Sequence, residues 1–174
     1  MRRLTSYEIE QENRLAAKKD AQVTIVAVLD NIRSLNNVGS IFRSADAFGI
    51  QKIFLCGITG SPPHREIQKT ALGASETIPW EYFKETLDCI TCLKKDNYKI
   101  IAVEQTTQSV NIYSLIFQNQ PVAFVFGNEV SGVSEEVIQT CDAAVSIRQT
   151  GSKHSLNVAV AAGIVFYVSA QKND

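Results

Sequence analysis

Three polar segments of the sequence carry side chains suited to binding and chemistry. The first contains Asn37, Gly39 and Arg43, the second is Gly127–Gly132 with Glu129 inside it, and the third is Ser155–Asn157. Glycines let a backbone approach a ligand closely, while amides, hydroxyls and charged groups supply hydrogen bonds to it. These residue types indicate a site that holds a polar ligand and stabilises charge.

Arg43 lies on a predicted helix, about 160° away from the apolar face at 100° per residue. Its neighbours at helical spacing are Gly39, Ser40 and Ala47, which leave the guanidinium room to meet a large partner. The alternative is a solvated arginine on an amphipathic helix. The apolar positions that define the helix are Val38, Ile41, Phe42, Ala45 and Phe48.

Glu129 follows a strongly apolar run, Val122–Phe126, that predicts a buried strand. In a parallel sheet, ligands bind beyond the carboxyl ends of strands, and an unpaired buried carboxylate is costly. Glu129 is therefore expected to be exposed or paired. An ordinary strand-to-helix turn remains the alternative for this segment.

The third segment leads into an apolar stretch, residues 158–168, within a helix predicted from Ser155 to Ala170. A helix that is apolar all round must be buried all round, and a subunit interface is one way to achieve this. The open alternatives are that Ser155 is a plain N-cap and that Asn157 satisfies a backbone group in the first turn.

Strands and helices alternate along the chain, which predicts an α/β fold with a mostly parallel sheet flanked by helices. The predicted strands are 23–29, 52–56, 99–104, 122–126 and 143–147, and the predicted helices cover 5–19, 38–48, 64–72, 86–95, a short stretch after Ser134, and 155–170.

The motifs Asn37-x-Gly39-x-x-x-Arg43, Gly127-x-Glu129-x-x-Gly132 and Ser155-Leu156-Asn157-Val158-x-Val160-Ala161 occur in this order. Together they resemble the three signature motifs of the SpoU (TrmH-type) branch of the SPOUT RNA methyltransferases, over roughly residues 21 to 170. The resemblance implies an α/β knot, in which the C-terminal segment threads through a loop. It also implies a homodimer and transfer of a methyl group from S-adenosylmethionine to a ribose 2′-hydroxyl.

The same resemblance implies a role for each motif residue. Arg43 would be the catalytic arginine, acting either as an unusual base or as a clamp on the RNA phosphate. The clamp is favoured because guanidinium has no acceptor while protonated. The residues implied to support it and shape the site are Asn37, Glu129, Ser155 and Asn157. The residues implied to bind the cofactor, largely through backbone groups, are Val103, Gly127, Asn128, Ile147 and Leu156.

The chain has 174 residues and a formal net charge of −1, which argues mildly against a nucleic-acid partner but says nothing about charge distribution. Residues 21–174 are expected to form the methyltransferase domain and residues 1–20 a helical extension with Arg14, Lys18 and Lys19. Because this knot would be small, tRNA is favoured over rRNA as the substrate. The homodimer is expected to form through the last helix.

No signal peptide or membrane span is predicted, so the protein is expected in the cytoplasm. No metal is expected, because Cys89-x-x-Cys92 has no second ligand pair and falls within a helix, where core thiols are the simpler interpretation. A dinucleotide-dependent oxidoreductase and a phosphate-loop nucleotidase are disfavoured, because the chain lacks their glycine-rich motifs. The remaining alternative is a non-catalytic RNA-binding or assembly protein that retains the fold.

Overall fold

The computed structural model describes residues 2–16, 23–117 and 119–172. Within them the helices are α1 (Ser6–Ala16), α2 (Leu35–Ala47), α3 (Arg65–Ala71), α4 (Ala74–Thr77), α5 (Thr86–Lys95), α6 (Glu135–Thr140) and α7 (Val158–Lys172). The strands are β1 (Ile25–Asp30), β2 (Lys52–Cys56), β3 (Trp80–Phe83), β4 (Lys99–Val103), β5 (Val110–Asn111), β6 (Val122–Phe126) and β7 (Ala143–Ser146), with a 3-10 turn at Ile112–Ser114. Lys18 and Lys19 of the predicted extension lie outside the described residues.

The strands form one sheet in the order β3-β2-β1-β6-β4-β7-β5, and all the pairings between described strands are parallel. β1 is central and fully buried, with Leu29 in register with Leu55 of β2 and Phe126 of β6. The predicted α/β fold with a mostly parallel sheet is confirmed. Parallel pairing places the carboxyl ends of β1, β4, β6 and β7 at one edge of the sheet.

Helices cover both faces of the sheet, as apolar strands require. Along β1, Ile25, Ala27 and Leu29 pack into the core beneath α2, α3 and α7. The alternating residues Val26 and Val28 pack into a second core beneath α5 and α6. Because its side chains alternate in this way, β1 contributes to both cores.

Two helices, α2 and α7, begin three residues away from their predicted starts. α2 starts at Leu35, because the Ser34 hydroxyl accepts the backbone N–H of Asn37 and caps the helix. Asn37 thus lies in the first turn of α2 and not in a loop. α7 starts at Val158, and Ser155 is not its N-cap. Asn157 has that role, since its Oδ1 accepts the N–H of Ala159 at 2.9 Å.

α7 is not buried all round in the single chain. Ala162, Val165 and Phe166 are fully buried on one side of the helix. Val160 and Tyr167, in contrast, are 52% and 50% exposed. One apolar face of the helix therefore has no cover from the described residues.

The sequence patterns missed β3, β5 and the four-residue α4. β3 is the edge strand beyond β2, and Trp80, Glu81 and Tyr82 are exposed on it, so it lacks the apolar run of a buried strand. β5 has only two residues, too few for any periodicity.

The cysteine prediction is confirmed only in part. Cys89 is buried within α5 as expected, but the prediction is wrong for Cys92, which is exposed one turn later on the outer side of the helix. Among the described residues no group of three or more His, Cys, Asp or Glu side chains is placed to hold a metal ion. Within the same ranges, no helix combines the length and apolarity that crossing a membrane requires.

Candidate active site

A cavity of about 750 Å³ opens at the edge of the sheet where β4, β6 and β7 end. Its walls come from the segments that follow these strands and from the start of α7. Polar lining residues include Glu104, Gln105, Glu129, His154 and Asn157. This is the edge at which ligands bind in parallel α/β sheets.

Glu129 anchors the side of the cavity nearest α2. Its Oε2 accepts the backbone N–H of Arg33, and its Oε1 accepts the backbone N–H of Ser34, each at 2.9 Å. The Asn37 amide also donates to Oε1, at 2.9 Å. The expectation that Glu129 is exposed or paired is confirmed, because it is both. Its carboxylate lies at the N-terminus of α2, where negative charge is favourable.

The pKa of Glu129 lies below its ordinary range. Burial acts to raise this pKa, but the N–H of Arg33, the Asn37 amide and the N–H of Ser34 together lower it more. Each of these donors stabilises the ionised carboxylate. Glu129 is therefore negatively charged at neutral pH.

Asn37 and Asn157 extend the same hydrogen-bond chain. Asn157 Nδ2 donates to Asn37 Oδ1 at 3.1 Å, while Asn37 Nδ2 donates to Glu129. A carboxylate can only accept, so Asn37 must turn its NH2 group to Glu129 and its oxygen to Asn157. One residue from each of the three sequence motifs is thus joined in a single network.

The loop after β6 has no room for side chains at its glycines. A Cβ on Gly127 would overlap the backbone of Gly132 and Val133, and Gly132 has a φ of +70°. Asn128 closes the turn by accepting the N–H of Val130 at 2.9 Å and donating to the Asn31 carbonyl at 2.7 Å. The alternative of an ordinary turn does not describe this loop, whose carboxylate reaches α2.

All five residues implied to bind a cofactor line the cavity: Val103, Gly127, Asn128, Ile147 and Leu156. The sequence patterns did not single out Glu104, although it ends a predicted strand. Its carboxylate accepts the N–H of Val133 at 3.1 Å and of Gln105 at 2.9 Å, which joins the loops after β4 and β6. The rule that polar residues at strand ends line the site could have identified it.

Arg43 is not among the residues that line this cavity in its own chain. It is exposed on α2 and makes no hydrogen bond or ion pair with the rest of the described chain. Ser155 does line the cavity and is exposed there. Asn37, Glu129, Asn157 and Ser155 are therefore brought to one place, and Arg43 is not.

Gly39 has a different reason to be small from the one inferred. A Cβ on Gly39 would overlap Thr70 Oγ1 and the Ile67 carbonyl oxygen of α3. Its absence allows α2 and α3 to pack closely, so Gly39 serves helix packing and is not there to make room for the Arg43 guanidinium.

A family model described as the SpoU rRNA Methylase family matches residues 24–167. The chain belongs to the SpoU rRNA Methylase family. The resemblance carried by the three motifs is therefore confirmed, and the matched range contains the whole cavity lining.

Similar proteins of this family include enzymes acting on two kinds of RNA. The 23S rRNA (guanosine-2′-O-)-methyltransferase RlmB of Blochmanniella floridana is 31% identical over 88% of this chain and 60% of its own length. The tRNA (guanosine(18)-2′-O)-methyltransferase of Borreliella burgdorferi is also 31% identical, over 80% of this chain and 63% of its own.

Among solved structures, the AdoMet-bound rRNA methyltransferase from Sinorhizobium meliloti superposes with a TM-score of 0.80 at 30% identity. The match covers 85% of this chain and 56% of that one. The chain thus spans about three fifths of the length of these three relatives.

Proposed function

We propose that this chain is an RNA 2′-O-ribose methyltransferase that uses S-adenosylmethionine. The observation that carries the proposal is the chain of hydrogen bonds from Glu129 through Asn37 to Asn157 at the edge of the cavity. Its members come from three segments that are distant in the sequence. The two relatives described above are named as RNA 2′-O-methyltransferases, which agrees with this chemistry.

The cavity fits S-adenosylmethionine in size and charge. Its volume of about 750 Å³ falls within the ~300–1,000 Å³ range of small-molecule sites. Glu104 and Glu129 are the charged side chains among the described lining residues, and neither Lys nor Arg is present there. A sulfonium and an ammonium group are favoured in such a negatively charged site.

The five cofactor residues inferred from the motifs would hold the cofactor mainly through backbone groups and apolar contact. Ile147 and Leu156 offer apolar surface. Asn128 contributes its backbone, because its side chain is already bonded within its own loop. When bound, S-adenosylmethionine supplies an activated methyl group on sulfur.

Glu129, Asn37 and Asn157 act as an orienting network for the ribose, and Ser155 adds a hydroxyl beside it. Holding the reacting oxygen in line with the methyl carbon is the main contribution an enzyme can make here. Four hydrogen bonds hold the network together, and each asparagine NH2 group retains a second N–H that can donate to the ribose.

Arg43 acts from a dimer interface in this proposal, as a clamp on the RNA phosphate. The uncovered face of α7 forms an apolar groove with Phe48, which follows α2, and with Tyr113 and Ile147. Ile147 also lines the cofactor cavity, so a second copy seated in the groove would border the site. In this proposal Arg43, on the helix that leads to Phe48, would lie at that border once the second copy is bound.

An α/β knot is part of the same proposal. β4 and β5 follow each other in the chain, yet β7 lies between them in the sheet. Gln105 Nε2 donates to the His154 carbonyl at 2.8 Å, and Lys172 Nζ donates to the carbonyls of Tyr113 and Leu115. These contacts support a path in which the C-terminal segment passes through the loop between β4 and β6.

RNA would reach the site over an exposed basic surface. Arg33 closely precedes α2, and Arg65 and Lys69 are exposed on α3, which packs against α2. Residues 1–20, including Arg14, are proposed as an extension that adds positive charge. The preference for tRNA stays a prediction, because a tRNA enzyme and an rRNA enzyme are equally identical to this chain. A cytoplasmic location is part of the same proposal.

The test is incubation of the purified chain with S-adenosylmethionine and, separately, tRNA and rRNA, followed by mass spectrometry of the nucleosides. We expect a 2′-O-methylated nucleoside from one RNA class. RNA binding without methylation would identify the non-catalytic alternative instead.

Arg43→Lys and Arg43→Ala, assayed at saturating RNA, test whether Arg43 clamps the RNA phosphate. Near-normal turnover of Arg43→Lys would exclude a bidentate guanidinium role.

A further inference from the structure

The proposed reaction requires an acceptor for the proton of the 2′-hydroxyl, and the motif residues do not provide a good one. The guanidinium of Arg43 has no acceptor while protonated, and asparagine amides are not bases. Glu129 is a weak base, since its pKa is lowered and its oxygens already accept three N–H groups. A base suited to neutral pH must come from another residue.

His154 is the histidine that lines the cavity. It lies on the segment that follows β7, directly before Ser155 and three residues before Asn157. Its imidazole makes no hydrogen bond or ion pair within the described part of the chain, so both ring nitrogens are available. Its backbone is fixed, because Gln105 Nε2 donates to its carbonyl at 2.8 Å.

The charged side chains that share the cavity with His154 are carboxylates. Glu104, on the segment after β4, and Glu129, on the segment after β6, line the same cavity. Lys153 and Arg148 are the cationic residues on its own segment, and neither lines the cavity. Among the described residues, two carboxylates, and no Lys or Arg side chain, therefore line the cavity together with the imidazole.

We propose that His154 is the proton acceptor of the methyl transfer, an inference that rests on the proposed function. The O–H bond of the ribose breaks and its proton moves to the imidazole. The 2′-oxygen forms a bond to the methyl carbon as the carbon–sulfur bond breaks, and that electron pair stays on sulfur. The imidazolium then releases its proton to water, which restores His154 for the next turnover.

The chain has two histidines, which allows the same substitution to serve as test and control. The test is His154→Asn and the control is His64→Asn. His64 precedes α3, where its Nδ1 accepts the N–H of Glu66 at 3.2 Å, and asparagine also caps helices well. Single-turnover methylation rates are measured from about pH 5.5 to about pH 9, a range that spans histidine titration, at saturating RNA and S-adenosylmethionine.

In the unmodified chain the rate is expected to rise with pH and then level off, as histidine bases do in this range. We expect His154→Asn to be about 100-fold slower at about pH 7.5 and to lose this rise. His64→Asn is expected to keep both the normal rate and its rise with pH. Added imidazole is expected to restore part of the rate of His154→Ala.

The inference is overturned if His154→Asn keeps the normal rate and pH profile, or if His64→Asn loses as much. It is also overturned if titration with S-adenosylhomocysteine traces the whole defect to weaker cofactor binding. Should His154→Asn fail to fold, the response of His154→Ala to imidazole decides the question in either direction. An unmodified chain that methylates no RNA refutes the proposed function itself, before any variant is compared.

Discussion

At the residue scale, the site depends on which side chains can only accept hydrogen bonds and which can donate them. Glu129 receives three N–H groups, and a neutral amide in its place would turn an NH2 group toward at least one of those donors. The charged carboxylate of Glu129 thus determines which way the Asn37 amide is turned, and the N–H of that amide in turn stabilises the charge. This dependence makes the network sensitive to substitutions that preserve shape.

Glu129→Gln is expected to destabilise the fold by about 1 kcal/mol at neutral pH, because a charged hydrogen-bond acceptor is lost. The effect is small because the position is exposed and solvent screens the charge. The pKa of Glu129 is lowered on folding. The contribution of Glu129 to the free energy of unfolding is therefore complete above its pKa in the unfolded chain, and it is lost as the pH falls through its pKa in the folded protein. Urea unfolding at a series of pH values from about 7 down to about 3 tests this, since the gap between the two chains should narrow as the carboxylate is protonated. A gap independent of pH would contradict it.

Ser169 is a second residue with a local consequence. Its hydroxyl is fully buried on α7 and has no partner among the described residues. Ser169→Ala is expected to stabilise the protein by about 1 kcal/mol, because an unsatisfied polar group is removed. Ser134→Ala is the matched control, since it removes the N-cap of α6 and is expected to destabilise by about 1 kcal/mol. The urea midpoints of the two variants should move in opposite directions.

At the scale of elements, α2 and α7 do most of the positioning. α2 presents Asn37 to Glu129 from its first turn, and α7 begins directly after Asn157, the residue that completes the network. The two helices also pack against each other. The helix starts were the part of the site that sequence patterns placed least well, because Asn36 and Asn37 are typical turn formers but are held helical by the Ser34 cap.

Val160→Lys tests the uncovered face of α7. A charge placed in the proposed dimer interface is expected to abolish dimerisation, which light scattering after gel filtration would detect. Methylation is expected to fall with it. Cys92→Lys adds the same charge to an exposed position of α5 and is expected to change neither property. A dimer that survives Val160→Lys would place the interface elsewhere.

Arg65→Glu tests the basic surface on α3. We expect the RNA KM to rise about tenfold at low salt, with a smaller rise at high salt, because phosphate contacts release counterions. Lys95→Glu reverses an exposed charge on α5, across the sheet, and is expected to have little effect. Equal effects of the two substitutions would show that only net charge matters.

At the scale of the whole molecule, the cavity lining lies entirely between Val103 and Ala161. Deleting residues 2–20 is therefore expected to leave the affinity for S-adenosylhomocysteine unchanged while weakening RNA binding. Calorimetry and filter binding would measure the two affinities. A loss of cofactor affinity would refute the proposed boundary between extension and domain.

The sequence predicted the central sheet because β1, β2, β4 and β6 are apolar on both faces, a pattern that burial imposes directly. The edge strands β3 and β5 could not be predicted, since exposure and short length remove that pattern.

The gathering of Glu129 and Asn157 followed from parallel strand order and from the family resemblance. The position of Arg43 relative to the cavity could not be predicted, because the helical pattern indicates which face of α2 it lies on but not how far that face is from the cavity.

Asn157 shows how a distant contact narrows the choice of residue. Aspartate begins helices as readily as asparagine, so α7 alone would tolerate either at this position. An aspartate, however, has no N–H to offer, and its carboxylate would face the oxygen of Asn37, 120 residues earlier in the chain. The substitution of Asn157 by aspartate, which the N-cap position would tolerate, is therefore disfavoured by the hydrogen bond to Asn37.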